Sequence, residues 1–202
     1  MKLFYHPGTC SLAPHIVLEE GGFDFALELV DEHHRYSAGD FYAVNPKGYI
    51  PALELDDGEI LTEGVAIVQH LADIAPVEGL IPAVGTVSRA RCVEWLTFTA
   101  TELHKAFPPL WTPSYPDDLR AKGMDLLQQR IAFTNAHLGR RDYLLGDRFS
   151  VADAYLYTVL NWASRIDLDL AQWPHAKAFT TRMEARPKVK KALEVEKKAT
   201  RA

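Results

Sequence analysis

Cysteine is scarce in this chain. Of 202 residues only Cys10 and Cys92 carry thiols, and they lie far apart on different predicted elements, which argues against a disulfide framework. No Cys-x-x-Cys occurs, because position 13 is Ala13; a self-contained dithiol cycle is therefore excluded, and thiol exchange would need an external thiol. No apolar run approaches the roughly 18 to 20 residues of a membrane-spanning helix. No charged leader with an apolar core precedes the first strand-like run, so the expected compartment is the cytosol, with no membrane partner. A basic excess is lacking as well: the net charge is −5, which argues against a general nucleic-acid binder. Basic residues thicken from Arg182 to Arg201, but Glu184, Glu194 and Glu196 are interleaved, the pattern of a solvated helix and tail.

What is present is ordinary globular composition, 48% hydrophobic and 24% charged, in a chain long enough for one large or two small domains. The first twenty residues organise the rest. An apolar run from Leu3 to Tyr5 leads through His6, Pro7 and Gly8 to Thr9 and Cys10, after which Leu12, Ala13, Ile16 and Val17 recur on one helix face. Cys10 thus falls where a strand ends and a helix begins. Unpaired amides there favour a thiolate. Two readings of Cys10 follow from the residues alone, a reactive thiol or a small apolar filler.

Gly21 and Gly22 stop this helix, and Phe25, Leu27 and Leu29 alternate as a second strand, completing a βαβ unit. Asp31 to Asp40 reads as a polar loop, and Phe41 to Val44 as a short helix ended by Asn45 and Pro46. Ala52 to Asp56, the Asp57–Gly58 turn and Glu59 to Leu61 form a hairpin, which makes the sheet mixed. A helix from Thr62, with Val65, Val68, Leu71, Ala72 and Ala75 as its stripe, ends at Pro76. Residues 76–85 mix prolines and glycines without a period, and everything beyond reads as helix, which places a domain boundary near residue 80. The helices expected there are Ser88 to Phe107, ended by Pro108 and Pro109; Asp117 to Leu138; Val151 to Arg165, apolar almost all round; Ala171 to Arg186; and Pro187 to Glu196. Ser150 and Asp153 form a reciprocal capping pair at the start of the third of these.

In this layout the motifs resemble the glutathione transferase family, and the bacterial beta class most closely. The resemblance rests on MKLFYHPGTCSLAPHIVL at the start, NPKGYIPAL (Asn45 to Leu53), LTEGVAIVQHLAD (Leu61 to Asp73), EWL with ATELHK (Glu94 to Lys105), and GDRFSVADAYL (Gly146 to Leu156). It implies an α+β thioredoxin-like N-terminal domain over residues 1–80, with a mixed four-stranded sheet, followed by an all-α helical domain over residues 86–202. It implies a homodimer, glutathione as cosubstrate with no tightly bound cofactor or metal, and a small apolar electrophile as the second substrate. The implied activity is glutathione conjugation, a detoxification chemistry. The alternatives are glutathione-dependent thiol exchange or reductive dehalogenation, and a non-catalytic interaction protein of this fold.

The resemblance also implies site residues. Cys10 would face the glutathione sulfur and form a mixed disulfide with it; Ser11 and Tyr5 are the other candidates in this region, ranked below it. A cis bond before Pro51 would let the Ile50 backbone pair with glutathione as an added strand. The Glu63 and Gly64 amides would meet a carboxylate, and the Glu63 side chain the γ-glutamyl ammonium. Thr97, Thr101 and His104 would form one helical stripe with Lys105 beside it, His104 bonding the sulfur or accepting its proton. Thr97 stands where the family often has an asparagine reaching the other subunit. Arg35 is the candidate cation for the glycine carboxylate. Phe107, Trp111 and Tyr115 would line the electrophile pocket or pack between helices. His33 and His34 are adjacent and ill placed to converge on a metal, and Cys92 reads as a packed thiol.

Overall fold

The computed structural model describes residues 1–200; Arg201, the end of the basic tail, lies outside the described residues. The chain divides into two compact units, Met1–Ile81 together with the stretch from Ala185 onward, and Pro82–Glu184.

The first unit is built around β1 (Lys2–Tyr5), whose consecutive Leu3, Phe4 and Tyr5 are all buried, as a strand covered on both faces requires. Helix α1 (Leu12–Gly21) crosses over to β2 (Ala26–Leu29), which pairs parallel to β1 with Leu3 opposite Leu27. Arg35–Tyr36 and Gly39–Asp40 then form β3 and β4, a two-stranded hairpin in the segment expected to be a polar loop. Asp31 organises it, its Oδ1 accepting the amides of His33 and Arg35 at 2.9 and 2.8 Å. The expected short helix forms as a 3-10 turn at Phe41–Ala43. Strands β5 (Ala52–Glu54) and β6 (Ile60–Thr62) are antiparallel, and β5 is antiparallel to β1, giving the mixed order β2-β1-β5-β6. Helix α2 (Gly64–Ile74) starts two residues later than expected because Thr62 stays in β6 opposite Ala52. Its buried residues are Ile67, Val68 and Leu71.

Helix α8 (Pro187–Ala199), expected from sequence to belong to the helical domain, packs on α1 and completes the first unit. Its buried Val189, Ala192 and Glu196 face inward. Lys191 pairs with Glu19 at 2.9 Å, and Arg186, just before the helix, grips Glu20 with two bonds of 2.7 and 2.9 Å. Amphipathic periodicity shows that a helix has an apolar stripe, not which surface covers it.

The second unit is helical, as expected, but all its anticipated helices except α5 are shorter. The single helix anticipated over 88–107 is instead α3 (Val87–Phe98), a π-helical turn at Thr99–Leu103 and a 3-10 turn at His104–Ala106. Pro108 and Pro109 open α4 (Pro108–Trp111) rather than only ending a helix, since proline fits a first helical turn, where no amide is needed. Helix α5 (Asp117–Leu138) has the expected span. Helix α6 (Val151–Leu160) is buried along its whole length and tightens into a 3-10 segment at Asn161–Ile166. Helix α7 (Pro174–Ala185) begins at a proline after a 3-10 turn at Leu170–Gln172.

The Ser150–Asp153 capping box forms at the start of α6 and is larger than expected. Asp153 Oδ2 accepts the Ser150 amide at 2.8 Å and its hydroxyl at 2.7 Å, while Oδ1 accepts the Leu144 amide at 2.8 Å. Asp153→Ala would leave two buried amides unpartnered and should lower the unfolding free energy by about 2 to 4 kcal/mol, against about 1 kcal/mol for Ser150→Ala. Urea unfolding of the two variants checks the order.

Candidate active site

The loop between β1 and α1 is tied down by its own polar groups. His6 Nδ1 lies 2.7 Å from the Val30 carbonyl, and the Val30 amide bonds Tyr5 O at 2.9 Å. Ser11 is fully buried; its hydroxyl donates to His6 O at 3.0 Å, accepts the His6 amide at 3.2 Å and lies 2.9 Å from Thr9 Oγ1. That hydroxyl closes the loop. Tyr5 is buried too, and desolvation, with the Glu196 charge second, pushes its phenol up. Cys10 is half-buried, one residue before the α1 cap, and its thiol donates to the Ile50 carbonyl at 3.3 Å.

One group from distant sequence braces this loop and meets a buried ring of α1. Glu196 of α8 accepts the Gly8 amide at 2.7 Å through Oε2, and its Oε1 lies 3.3 Å from Nδ1 of the fully buried His15. Sequence periodicity missed both residues. The available signal was an ionisable side chain among the apolar residues of each helix, since such residues are rarely buried without partners.

The same unit brings four further candidates together. The Ile50–Pro51 peptide is cis, as the resemblance implies. Pro51 is buried and its ring edge lies beneath Gly64, where an added Cβ would meet Cγ at 3.8 Å. Glu63 caps α2 with φ 69° and ψ 114°, a backbone conformation that costs a non-glycine residue about 1 to 3 kcal/mol and clusters at binding sites. The amides of the first turn of α2 lack intrahelical partners by construction. The Glu63 carboxylate is exposed and pairs with Lys47 Nζ at 2.6 Å, a cation within the NPKG motif that sequence analysis left unassigned. Arg35 is exposed on the β3–β4 hairpin, outside the four-stranded sheet.

The other candidates lie in the second unit. Thr97 and Thr101 are exposed, and the Thr101 hydroxyl donates back to Thr97 O at 3.0 Å. The π turn after α3 adds a residue to the helical repeat, so His104 is not the continuation of a simple i, i+4, i+7 stripe. It is half-buried, with Nδ1 2.9 Å from Tyr155 Oη, and its ring packs edge-on against Trp162 at 4.7 Å and Tyr155 at 6.2 Å. Burial, then the neighbouring Lys105 charge, pushes the imidazole down to about 4. Lys105 itself is exposed. Phe107, expected to line a pocket, is fully buried and stacks beneath Trp111 at 5.4 Å; Trp111 and Tyr115 keep 37% and 38% of their surface exposed. Tyr155 and Trp162 were read from sequence only as parts of an apolar helix and its continuation.

The two cysteines differ in availability. Cys92 is fully buried, and desolvation pushes its thiol up to about 11. Iodoacetamide at neutral pH should therefore carbamidomethylate Cys10 and spare Cys92, with labelling abolished in Cys10→Ala; peptide mass spectrometry reads the site. The half-buried imidazole of His104 makes a second expectation. Its folded pKa lies below the unfolded value of about 6.5, so its contribution is full above that pH and is lost as the pH falls toward 4. The wild type should lose about 2 kcal/mol through this residue between pH 7 and pH 5, and denaturation of His104→Gln at the two pH values should show a correspondingly smaller loss.

Known proteins resemble this chain in sequence and fold. Residues 8–74 match the family described as glutathione S-transferase, N-terminal domain, and residues 98–187 the one described as glutathione S-transferase, C-terminal domain. Glutathione S-transferase GstA of Escherichia coli O157:H7 is 48% identical over 97% of this chain and 98% of its own. The solved structure of a sphingomonad glutathione S-transferase complexed with glutathione superposes with a TM-score of 0.93 at 44% identity, covering 97% of this chain and 98% of that one. A beta class glutathione S-transferase from Sphingomonas chungbukensis gives 0.92 at 40% identity, with the same coverages. Extending over nearly the full length and both units, these similarities show that the chain belongs to the glutathione S-transferase family, in its bacterial beta class.

Proposed function

We propose that this protein is a glutathione transferase that conjugates the glutathione thiol to small electrophiles and whose Cys10 forms a mixed disulfide with glutathione. The observation that carries the reading is the convergence within one unit of the Cys10 thiol on the Ile50 carbonyl, beside the cis Pro51 and the open amides of α2 at Glu63 and Gly64. The Ile50 backbone accepts the tripeptide as an added strand. The α2 amides take its γ-glutamyl carboxylate, and its ammonium replaces Lys47 on Glu63. Arg35 answers the glycine carboxylate. His104 and Lys105 serve the thiol, with Thr97 and Thr101 on the same segment, and exposed Trp111 and Tyr115 face the electrophile, held up by Phe107.

With Ala13 in place of a second cysteine, thiol exchange proceeds through the external thiol. The Cys10 thiolate attacks oxidised glutathione, one Cys10–glutathione disulfide forms, and one glutathione thiolate leaves. Conjugation needs only a glutathione thiolate and an electrophile, so the two activities separate by mutation. Cys10→Ala should abolish the mass adduct formed with oxidised glutathione and any thiol exchange, while conjugation of a chloronitrobenzene falls by less than tenfold. An adduct on Cys92, or no retention of the wild type on glutathione-agarose, would reject the assignment.

A cytosolic homodimer is part of the same reading. Phe133, 57% exposed, and Val87 flank a groove of about 510 Å³ lined by Trp95, Phe98 and His137, with the Arg91–Glu94 ion pair at its rim. An exposed aromatic groove with a charged rim suits a second copy of the chain. Phe133→Glu should shift sedimentation from dimer to monomer, and a monomeric wild type would refute the pairing.

A further inference from the structure

His104 can serve a thiol in two opposite ways, as an acceptor of its proton or as a donor to its thiolate, and the groups around the ring decide between them. Tyr155, on the fully buried helix α6, places its hydroxyl oxygen 2.9 Å from His104 Nδ1. The Tyr155 and Trp162 rings meet the imidazole edge-on, at interplanar angles of 82° and 74°, so the ring has little freedom to turn its other nitrogen toward the phenol.

We propose that Tyr155 is a positioning residue: its hydroxyl donates to His104 Nδ1, holds the neutral ring as the Nε2–H tautomer, and so makes His104 a hydrogen-bond donor to a thiolate sulfur. The direction of the bond follows from acidity. A phenol ionises near pH 10, far more readily than the N–H of a neutral imidazole, while the bare imidazole nitrogen is the better acceptor of the two. The shared proton therefore stays on the Tyr155 oxygen and points at Nδ1. The one ring proton of the neutral imidazole is left on Nε2.

Basicity supports the same assignment. A ring held near 4 by burial and Lys105 is a poor base for a thiol of pKa about 8.5; direct transfer would be unfavourable by between four and five powers of ten. The thiol proton leaves to water, and the Nε2–H bond stabilises the thiolate that remains. This inference rests on the reading of His104 as a thiol-site residue.

The test is the ring nitrogen spectrum of the full-length protein labelled with 15N-histidine. Its eight histidines are separated by comparison with His104→Gln. At neutral pH the wild type should show a protonated Nε2 and an unprotonated Nδ1, whereas Tyr155→Phe should show a mixture of tautomers. With glutathione bound, the ultraviolet thiolate band should fall several-fold in Tyr155→Phe, with kcat reduced more than KM is raised. A wild-type ring protonated at Nδ1 would overturn the proposal, and this holds even where Tyr155→Phe does not fold. An unchanged thiolate band in His104→Gln would instead overturn the underlying assignment of His104 to the thiol.

Discussion

A carboxyl group taken out of water needs donors around it, and each of the two units of this protein is braced internally by one such group. Burying one without partners would cost several kcal/mol. Asp153 meets the requirement with three donors from Leu144 and Ser150. It thereby fixes both the turn before α6 and the first residues of that helix. Glu196 meets it with the Gly8 amide and the His15 ring, and joins residues 188 positions apart. The first anchors the helix that carries Tyr155; the second anchors the loop that carries Cys10. Both residues, which the proposed function uses, are thus positioned through a buried carboxyl group.

The two cysteines and His104 sit in different surroundings. Cys10 lies in a short loop with a carbonyl acceptor and exposure enough to react. Cys92, in the middle of α3, is sealed by packing and driven toward its neutral form. His104 is kept neutral by the same desolvation, but a neutral imidazole still offers one donor and one acceptor. Desolvation keeps one thiol neutral in the core and one imidazole neutral beside aromatic rings. The sign of the effect is common; the chemistry differs because a neutral thiol is inert and a neutral imidazole is not.

Local chemistry was legible where neighbours in sequence are also partners in space. The Gly22 stop of α1, the Asp57–Gly58 hairpin, the β1–α1–β2 unit and the Ser150–Asp153 box all involve residues a few positions apart. The stretch from Ser88 to Phe107 was not, because apolar spacing of a π turn differs from that of an α-helix by one residue, well within the tolerance of any periodic reading. Pro108 and Pro109 carry the same ambiguity, since proline both ends one helix and opens the next. Of the candidate site, Cys10, Pro51 and Glu63 could be singled out by motif. Lys47, Tyr155 and Glu196 could not, because each matters through a partner from 16 to 188 residues away.

By itself the sequence determined the main strands and most of the helices, the capping of α6, the absence of a second thiol near Cys10 and, through five ordered motifs, the family. The tertiary structure alone decided that α8 closes the first unit, that Glu63 is matched by Lys47, that Phe107 is a buried support, and which nitrogen of His104 meets Tyr155. The physical reason is the range of the forces involved. Propensity, capping and alternation act over a few residues of chain, whereas desolvation and hydrogen-bond completion act over a few ångströms of space, and only the folded chain says which residues share them.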